Sequence, residues 1–148
     1  MVYSTPWPPT DPIAVLACTI WMEARSDGLE GMHAVANVVL NRANHPRWWG
    51  KDVCSVCLMH EQFSSWNAGS TQIPLVIDAI AKNDPVYQMA YNLATTAIVF
   101  VLPDLTENSD SYYKPSDIEP PDWALPEYFT KQIGTQKFYR TELPLLVN

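Results

Sequence analysis

The 148-residue sequence has little positive charge and no long apolar segment. Lys and Arg together number 9 against 16 Asp and Glu, which gives a net charge of −7. A chain this acidic is a poor match for nucleic acid, which proteins bind mainly by neutralising phosphates, and for an anionic membrane surface. No apolar run reaches the roughly 18 residues of a membrane-spanning helix. We therefore expect no nucleic acid partner and no membrane insertion.

Cysteine is also scarce, with only Cys18, Cys54 and Cys57 present. An odd number of cysteines excludes a complete disulfide framework. Cys54 and Cys57 form a single Cys-x-x-Cys pair, and the sequence lacks both the further ligands that zinc needs and the βαβ context of a redox site. We expect ordinary packed thiols, no metal site and no cofactor.

The N-terminal residues lack the basic region and apolar core of a secretory signal peptide, so none is expected. Residues 1–10 are rich in proline and predict an extended arm. The composition, with 47% hydrophobic and 17% charged residues, is typical of a folded protein. Residues 11–148 are long enough for one domain with its own core.

Two helices are predicted in the first third of the chain. Asp11 is followed by proline, which is a helix-start signal, and residues 13–25 contain almost no polar side chain. A helix that is apolar nearly all round is a buried helix. A second, amphipathic helix is expected over residues 29–43, with Asp27 and Glu30 at the spacing of a capping box.

The rest of the chain predicts shorter elements. Residues 47–72 have no clean period and indicate a long structured loop with short helical turns. Helices are expected over residues 74–82 and 85–99, a short strand at 112–113 and a hairpin with a glycine bend over 132–140. The fold class is therefore mainly α (α+β), with a small β part near the C-terminus.

Glu23 stands out because it lies in the apolar first helix. At 100° per residue it falls on the same side as Leu16 and Ile20. Desolvation favours the neutral form of a carboxyl, and a carboxyl that keeps its proton can serve as a general acid. The alternative is a structural role, in which the carboxylate pairs with Arg25, Arg42 or a backbone donor. Glu30 is explained by capping alone.

Six short motifs, in order along the chain, then carry a family resemblance. They are Glu23-Ala24-Arg25, Glu30-Gly31, Val39-Leu40-Asn41-Arg42, Gln62-Phe63-Ser64, Pro121-Asp122-Trp123-Ala124 and Ile133-Gly134 with Phe138-Tyr139. Together they resemble the SleB/CwlJ family of cell-wall hydrolases, over about residues 12–140. Two positions depart from the family pattern. The Thr-His-Tyr-His element corresponds here to residues 111–114, which keep only the tyrosine, and the histidine of the last motif is replaced by Gln136.

The resemblance implies a lysozyme-like fold and cleavage of peptidoglycan between N-acetylmuramic acid and N-acetylglucosamine. It implies a lytic transglycosylase in which Glu23 is the catalytic acid and base and the product carries a 1,6-anhydro end. Hydrolysis would instead require a second carboxylate about 5–9 Å away. Glu30 and Glu61 are the candidates in the sequence, and neither is convincing.

The resemblance also implies which side chains contact the sugars. Amide, hydroxyl and aromatic groups suited to sugars occur in the matching segments at Gln62, Ser64, Trp66, Asn67 and Tyr113. Phe63 and Trp123 are expected to pack in the core. For Trp48 and Trp49 the sequence leaves open a groove wall or the edge of the core.

Two other functions compete with glycan cleavage. A peptidoglycan amidase or peptidase would need zinc or a Cys/His pair, which the spacing of these residues does not support. A catalytically inactive wall-binding or virion protein would have no reason to keep Glu23 in an apolar helix.

The expected partner is peptidoglycan, and the chain is expected to be a monomer. Without a signal peptide, it would be made in the cytoplasm and reach the wall after release through a holin-type pore, as phage lysins do. Its acidity would make long-range attraction to a polyanionic wall weak or repulsive, so local contacts must supply binding.

Overall fold

A computed structural model describes residues 8–59 and 62–142. The helices are α1 (Pro12–Ala24), α2 (Gly28–Asn44), α3 (Val53–Leu58), α4 (Gln72–Ala81) and α5 (Pro85–Val99), and the strands are β1 (Ser111–Tyr113), β2 (Phe129–Ile133) and β3 (Gln136–Tyr139). Short 3₁₀ turns lie at Arg25–Asp27, Ser64–Trp66 and Pro126–Tyr128. The mainly helical class with a small C-terminal sheet is thus confirmed. Most of the expected arm, residues 1–7, lies outside the described residues.

Helix α1 is the centre of the fold. The Asp11 side chain accepts hydrogen bonds from the backbone N–H groups of Ile13 and Ala14, which is the expected N-cap. The helix is buried on almost every side and packs against α2, α3, α4 and α5. An apolar helix that other helices surround explains why its sequence shows no polar face.

The start of α2 differs from the predicted capping box. Asp27 makes no side-chain cap, because its carboxylate instead accepts a hydrogen bond of 2.8 Å from Thr135 Oγ1 in the C-terminal hairpin. Gly28 opens the helix at a φ of 72°, a conformation that favours glycine. Glu30 is exposed, so the capping role expected for the pair is wrong.

Polar residues on α2 hold the segment that leads into the sheet. The Asn37 side chain pairs with both Pro103 O and Leu105 N, and Asn41 Nδ2 donates to Ser109 O at 2.9 Å. Such bonds satisfy the backbone groups of an irregular segment. The segment then enters β1, so the polar side of α2 sets where this strand begins.

The sheet has the order β1-β3-β2, and both pairs of strands are antiparallel. The expected hairpin turns at Gly134, which has a φ of 59°. Ile133 and Phe138 pack on Ala34 and Val38 of α2 and form a small second core. This packing fixes the sheet against the helical part.

Two further observations concern the helices and the cysteines of the described residues. None of the helices there is long and apolar enough to span a membrane. The three cysteines are free; Cys18 and Cys57 are buried and Cys54 is half-buried, so they are packed thiols as the sequence predicted.

Candidate active site

Glu23 lies in the last turn of α1, where the helix meets the 3₁₀ turn Ser64–Trp66 and strand β1. The residue is half-buried, and its carboxylate accepts two hydrogen bonds. Ser65 Oγ donates to Oε2 at 2.6 Å, and Tyr112 OH donates to Oε1 at 3.0 Å. Each carboxylate oxygen therefore has one hydroxyl donor. A hydroxyl group can donate to a carboxylate oxygen and can also accept from a carboxylic acid, so it is a suitable partner for either form.

The two arginines that could have paired with Glu23 are engaged elsewhere. Arg25 Nη1 donates to the carbonyl oxygens of Trp21 and Met22, and its guanidinium lies 4.1 Å from the centre of a Trp21 ring. Arg42 Nε donates to Asp110 O at 2.7 Å. Among the described residues, the hydrogen-bond partners of the Glu23 side chain are both neutral hydroxyls. Glu23 therefore does not form the ion pair with Arg25 or Arg42 that a structural role would have used.

Ser65 is positioned by its neighbour Trp66. The Trp66 indole N–H donates to Thr19 Oγ1 at 2.9 Å, and Thr19 Oγ1 donates to Val15 O at 2.7 Å. Thr19 precedes Glu23 by one helical turn, so the two residues lie on the same side of α1. Two adjacent residues of the 3₁₀ turn thus bond to two successive turns of the helix, which fixes Ser65 against the carboxylate.

Tyr112 is positioned by β1 and held in its protonated form. Burial and the neighbouring Glu23 carboxylate raise the pKa of Tyr112 well above its usual value. The phenol therefore remains a donor throughout the neutral and mildly alkaline range. Its ring packs on Phe138 with the ring centres 5.5 Å apart.

Arg42 is a buried cation near Tyr112. Burial lowers the pKa of Arg42, while the nearby Tyr112 and Asp110 oppose that shift. Arg42 as a residue is 8% exposed, and its guanidinium carbon lies 5.6 Å from the centre of a Trp49 ring. It links the end of α2 to the start of β1 and lines cavity B together with Glu23.

Two cavities meet at Glu23 and Tyr112, which line both of them. Cavity A, of about 510 Å³, is otherwise lined by Met22, Arg25, Ser26, Ser64, Ser65, Gln72, Lys114, Asp117, Ile118 and Gln136. Cavity B, of about 530 Å³, is otherwise lined by Arg42, Trp48, Gln62, Phe63, Ser111, Trp123, Tyr128, Thr141 and Glu142. Both volumes fall within the roughly 300–1,000 Å³ range of ligand sites. The carboxylate therefore lies between two cavities rather than at the bottom of one.

The two cavities differ in chemistry. Cavity A is lined mainly by polar and charged side chains, whereas cavity B has several aromatic ones. The Trp48 indole N–H donates to Glu142 Oε2 at 2.7 Å, and Trp48 is 56% exposed. Trp49 is 1% exposed and packs in the core. The sequence left open whether these two tryptophans form a groove wall or the edge of the core. Trp48 forms a cavity wall, and Trp49 does not.

The structure brings some of the residues predicted to bind sugars to these cavities and leaves others outside. Gln62 lines cavity B and Ser64 lines cavity A. Trp66, Asn67 and Tyr113 line neither cavity. Trp66 is buried as the anchor of the 3₁₀ turn, and Tyr113 is 6% exposed and packs on Trp123 and Tyr139. Phe63 and Trp123, expected as core residues, also line cavity B.

The candidates for a second carboxylate differ in whether they line one of the two cavities. Glu30 is exposed and lines neither cavity, and Glu61 lies outside the described residues. Asp117 lines cavity A and Glu142 lines cavity B. Glu142 is engaged by Trp48 and by Arg47, whose Nε lies 3.6 Å from Oε1. In residues 8–59 and 62–142, no three His, Cys, Asp or Glu side chains are grouped as metal ligands.

Sequence reasoning missed the two hydroxyl donors to Glu23. Ser65 follows the chosen Ser64, and Tyr112 precedes the chosen Tyr113. Successive residues of a strand face opposite sides of the sheet, so only one of two adjacent tyrosines can face Glu23. The two adjacent tyrosines in the sequence indicate that one of them faces Glu23, but the sequence alone does not show which one.

With this geometry in view, comparison with known proteins identifies the family. The model of the Cell Wall Hydrolase family matches residues 26–139, most of the chain. The chain belongs to this family and is an enzyme that degrades cell wall, as the sequence motifs indicated. The match begins at Ser26, so Glu23 lies just before it. No curated protein sequence matches the chain significantly.

Two solved structures share the fold. One is the catalytic domain of the germination-specific lytic transglycosylase SleB from Bacillus anthracis, with 22% identity and a TM-score of 0.62, covering 93% of this chain and 99% of that one. The other is the catalytic domain of the Bacillus cereus SleB protein, with 20% identity and a TM-score of 0.59, covering 91% of this chain and 94% of that one. These similarities confirm the expected lysozyme-like fold.

Proposed function

We propose that this enzyme cleaves the glycan strand of peptidoglycan between N-acetylmuramic acid and N-acetylglucosamine, as a lytic transglycosylase with Glu23 as its catalytic acid and base. The observation that supports this most is the position of Glu23 between cavities A and B. An enzyme that cuts inside a polymer must hold sugars on both sides of the broken bond. A glycan lying through both cavities would place one glycosidic oxygen next to Glu23.

In the first step, the Glu23 carboxyl gives its proton to the glycosidic oxygen. The bond from that oxygen to the anomeric carbon of muramic acid breaks, and positive charge develops on the sugar ring. Glu23 becomes a carboxylate at this moment. Ser65 and Tyr112 each donate to one of its oxygens, so the site is complementary to the charge that forms.

In the second step, the same carboxylate takes the proton of the muramic acid C6 hydroxyl. The hydroxyl oxygen forms a bond to the anomeric carbon and closes the 1,6-anhydro ring, and Glu23 regains its proton. No water is consumed. A hydroxyl on the same sugar has a high effective concentration, which removes the need for a second carboxylate to hold a water molecule.

The surroundings of the other acidic residues in the two cavities support the one-carboxylate route. Glu142, the carboxylate in cavity B, already accepts a hydrogen bond from Trp48 and faces Arg47. Asp117, in cavity A, is exposed. Neither has the enclosed pair of hydroxyl donors that surrounds Glu23.

Water labelled with ¹⁸O distinguishes the two reactions. We expect fragments released from purified peptidoglycan to carry 1,6-anhydromuramic acid ends and no label. Labelled reducing ends would show hydrolysis and assign a role to a second carboxylate. A lack of any glycan cleavage on several wall types would favour the wall-binding alternative.

The biological setting belongs to the same proposal. Peptidoglycan is the proposed partner, the enzyme would work as a monomer, and a holin-type pore would release it to the wall. Sedimentation of the purified chain and lysis assays with and without pore-forming agents would test these expectations.

A further inference from the structure

Two glutamine side chains in cavity A have amide oxygens without a partner. Gln136 on β3 is 4% exposed, and Gln72 at the start of α4 is half-buried. Both line cavity A, yet Gln72 Oε1 and Gln136 Oε1 are out of contact with solvent and accept no hydrogen bond from the described residues. Buried carbonyl oxygens nearly always have a donor, so an exception requires an explanation.

Leaving such an oxygen unpaired costs stability in the free protein. Cavity A has two such oxygens, and neither belongs to the hydrogen bonds around Glu23. Their presence indicates a site where a ligand supplies the hydrogen-bond donors. The terminal torsion of a glutamine is soft, so its amide group can turn to present the oxygen to the cavity.

We propose that Gln136, with Gln72, accepts a hydrogen bond from a secondary-amide N–H of the substrate in cavity A. This inference rests on the proposed function, since it concerns the same glycan. Peptidoglycan offers this group in its sugars, as the 2-acetamido group, and in its peptides, as the amide to the lactoyl group and the peptide bonds that follow it. An amide side chain suits either group, because it presents an acceptor and donors side by side.

The hairpin is built to keep Gln136 in place. Thr135 Oγ1 donates to Asp27 Oδ1 at 2.8 Å, directly before Gln136 in the chain. Gln136 also pairs with Ile133 across the turn. A residue held this firmly, with its own polar atom unpaired, is better suited to binding than to stabilising the fold.

The test measures binding of soluble glycan fragments by calorimetry, with Glu23→Gln as the background so that strands are not cut. Three probes are used: intact fragments, fragments with the peptides removed, and fragments that have been chemically de-N-acetylated. We expect Gln136→Met to raise Kd about tenfold on intact fragments, the usual effect of losing one such hydrogen bond. Gln88→Met, an exposed change on α5, is the matched control and should leave Kd unchanged.

The three probes identify the donor. If the penalty persists without peptides and disappears after de-N-acetylation, the donor is the acetamido group. If it disappears when the peptides are removed, the donor is an amide of the peptide. An equal penalty on all three probes, or no penalty on any, overturns the proposal.

Stability and activity provide separate checks. Gln136→Met should keep or raise Tm, because it removes an unpaired buried oxygen; a fall of several degrees with unchanged Kd would show a purely structural role. Gln72→Met, at a half-buried position, repeats the binding comparison should Gln136→Met not fold. Cleavage of intact strands by the unmodified enzyme tests the proposed function independently. A failure of the proposed cleavage can therefore be told apart from a failure of the proposed Gln136 hydrogen bond.

Discussion

The phenol of Tyr112 donates a hydrogen bond of 3.0 Å to Oε1 of Glu23, joining the first helix to a strand 89 residues later in the chain. Ser65 supplies the matching donor to the other oxygen at 2.6 Å. The proposed acid and base is therefore held by three separate segments: α1, the 3₁₀ turn and β1. None of them is adjacent to another in sequence, so the site exists only in the folded chain.

Replacing Tyr112 tests which of the two adjacent tyrosines serves Glu23. We expect Tyr112→Phe to lower kcat by about tenfold or more, since it removes one donor to the developing carboxylate, a bond worth about 1.5–3 kcal/mol. Tyr113→Phe should cost much less, because Tyr113 packs away from both cavities. Initial rates on purified peptidoglycan check this, and a larger loss from Tyr113→Phe would favour the residue that the family resemblance indicated.

Trp48 should act in substrate binding rather than in chemistry. It forms an exposed wall of cavity B, so Trp48→Ala is expected to raise KM several-fold and leave kcat nearly unchanged. Trp49→Ala should instead lower stability by about 3–5 kcal/mol, as expected for a buried tryptophan. Steady-state kinetics and thermal melting separate the two effects; a fall in kcat alone for Trp48→Ala would contradict the assignment.

Asp27 should contribute to stability through the hairpin. Asp27→Ala removes the hydrogen bonds from Thr135 and is expected to lower the free energy of unfolding by about 1–2 kcal/mol. Asp78→Ala, which breaks the exposed pair with Lys82, is the control and should cost at most about 0.5 kcal/mol. Denaturant titrations measure both values, and equal losses would mean that the Asp27–Thr135 link has no special role.

Alkaline pH should destabilise the fold through its buried thiols. Burial raises the pKa of Cys18 and the pKa of Cys57 to about 12, from the ordinary thiol value of 9.0. Below pH 9 both states keep the protons, so the stability is fully present. Above it the unfolded chain loses protons that the folded chain retains, so the free energy of unfolding falls by up to about 1.4 kcal/mol per pH unit for each thiol.

Cys57→Ala provides the comparison for this prediction. We expect the fall in stability between pH 9 and 11 to be less steep in the variant than in the unmodified enzyme. Urea titrations across that range measure the slope, and identical slopes would show that Cys57 does not contribute to it.

The fold was largely predictable from sequence because its signals are local. Asp11 and Asp84, each followed by proline, mark the starts of α1 and α5, and both side chains cap their helices. Gly134 marks the hairpin turn. Such features depend on a few neighbouring residues, so a single sequence reveals them.

The site was predictable only in part, because its contacts are distant in sequence. Glu23 was predicted from its place in an apolar helix, and Gln62 and Ser64 from the family motifs. The partners of its carboxylate depend on which side of β1 faces α1 and on how the 3₁₀ turn is anchored. The capping box failed for a similar reason, since Thr135, far along the chain, takes the Asp27 carboxylate.

The Glu23→Gln variant tests whether Glu23 supplies the proton and then takes one back. The amide keeps the shape of the side chain and an acceptor oxygen but cannot transfer a proton. We predict a fall in kcat of about 10²–10⁴-fold on purified peptidoglycan, the usual contribution of a general acid, with Tm close to that of the unmodified enzyme. Retained activity in the variant, or a loss of activity that merely follows a loss of Tm, would contradict the account.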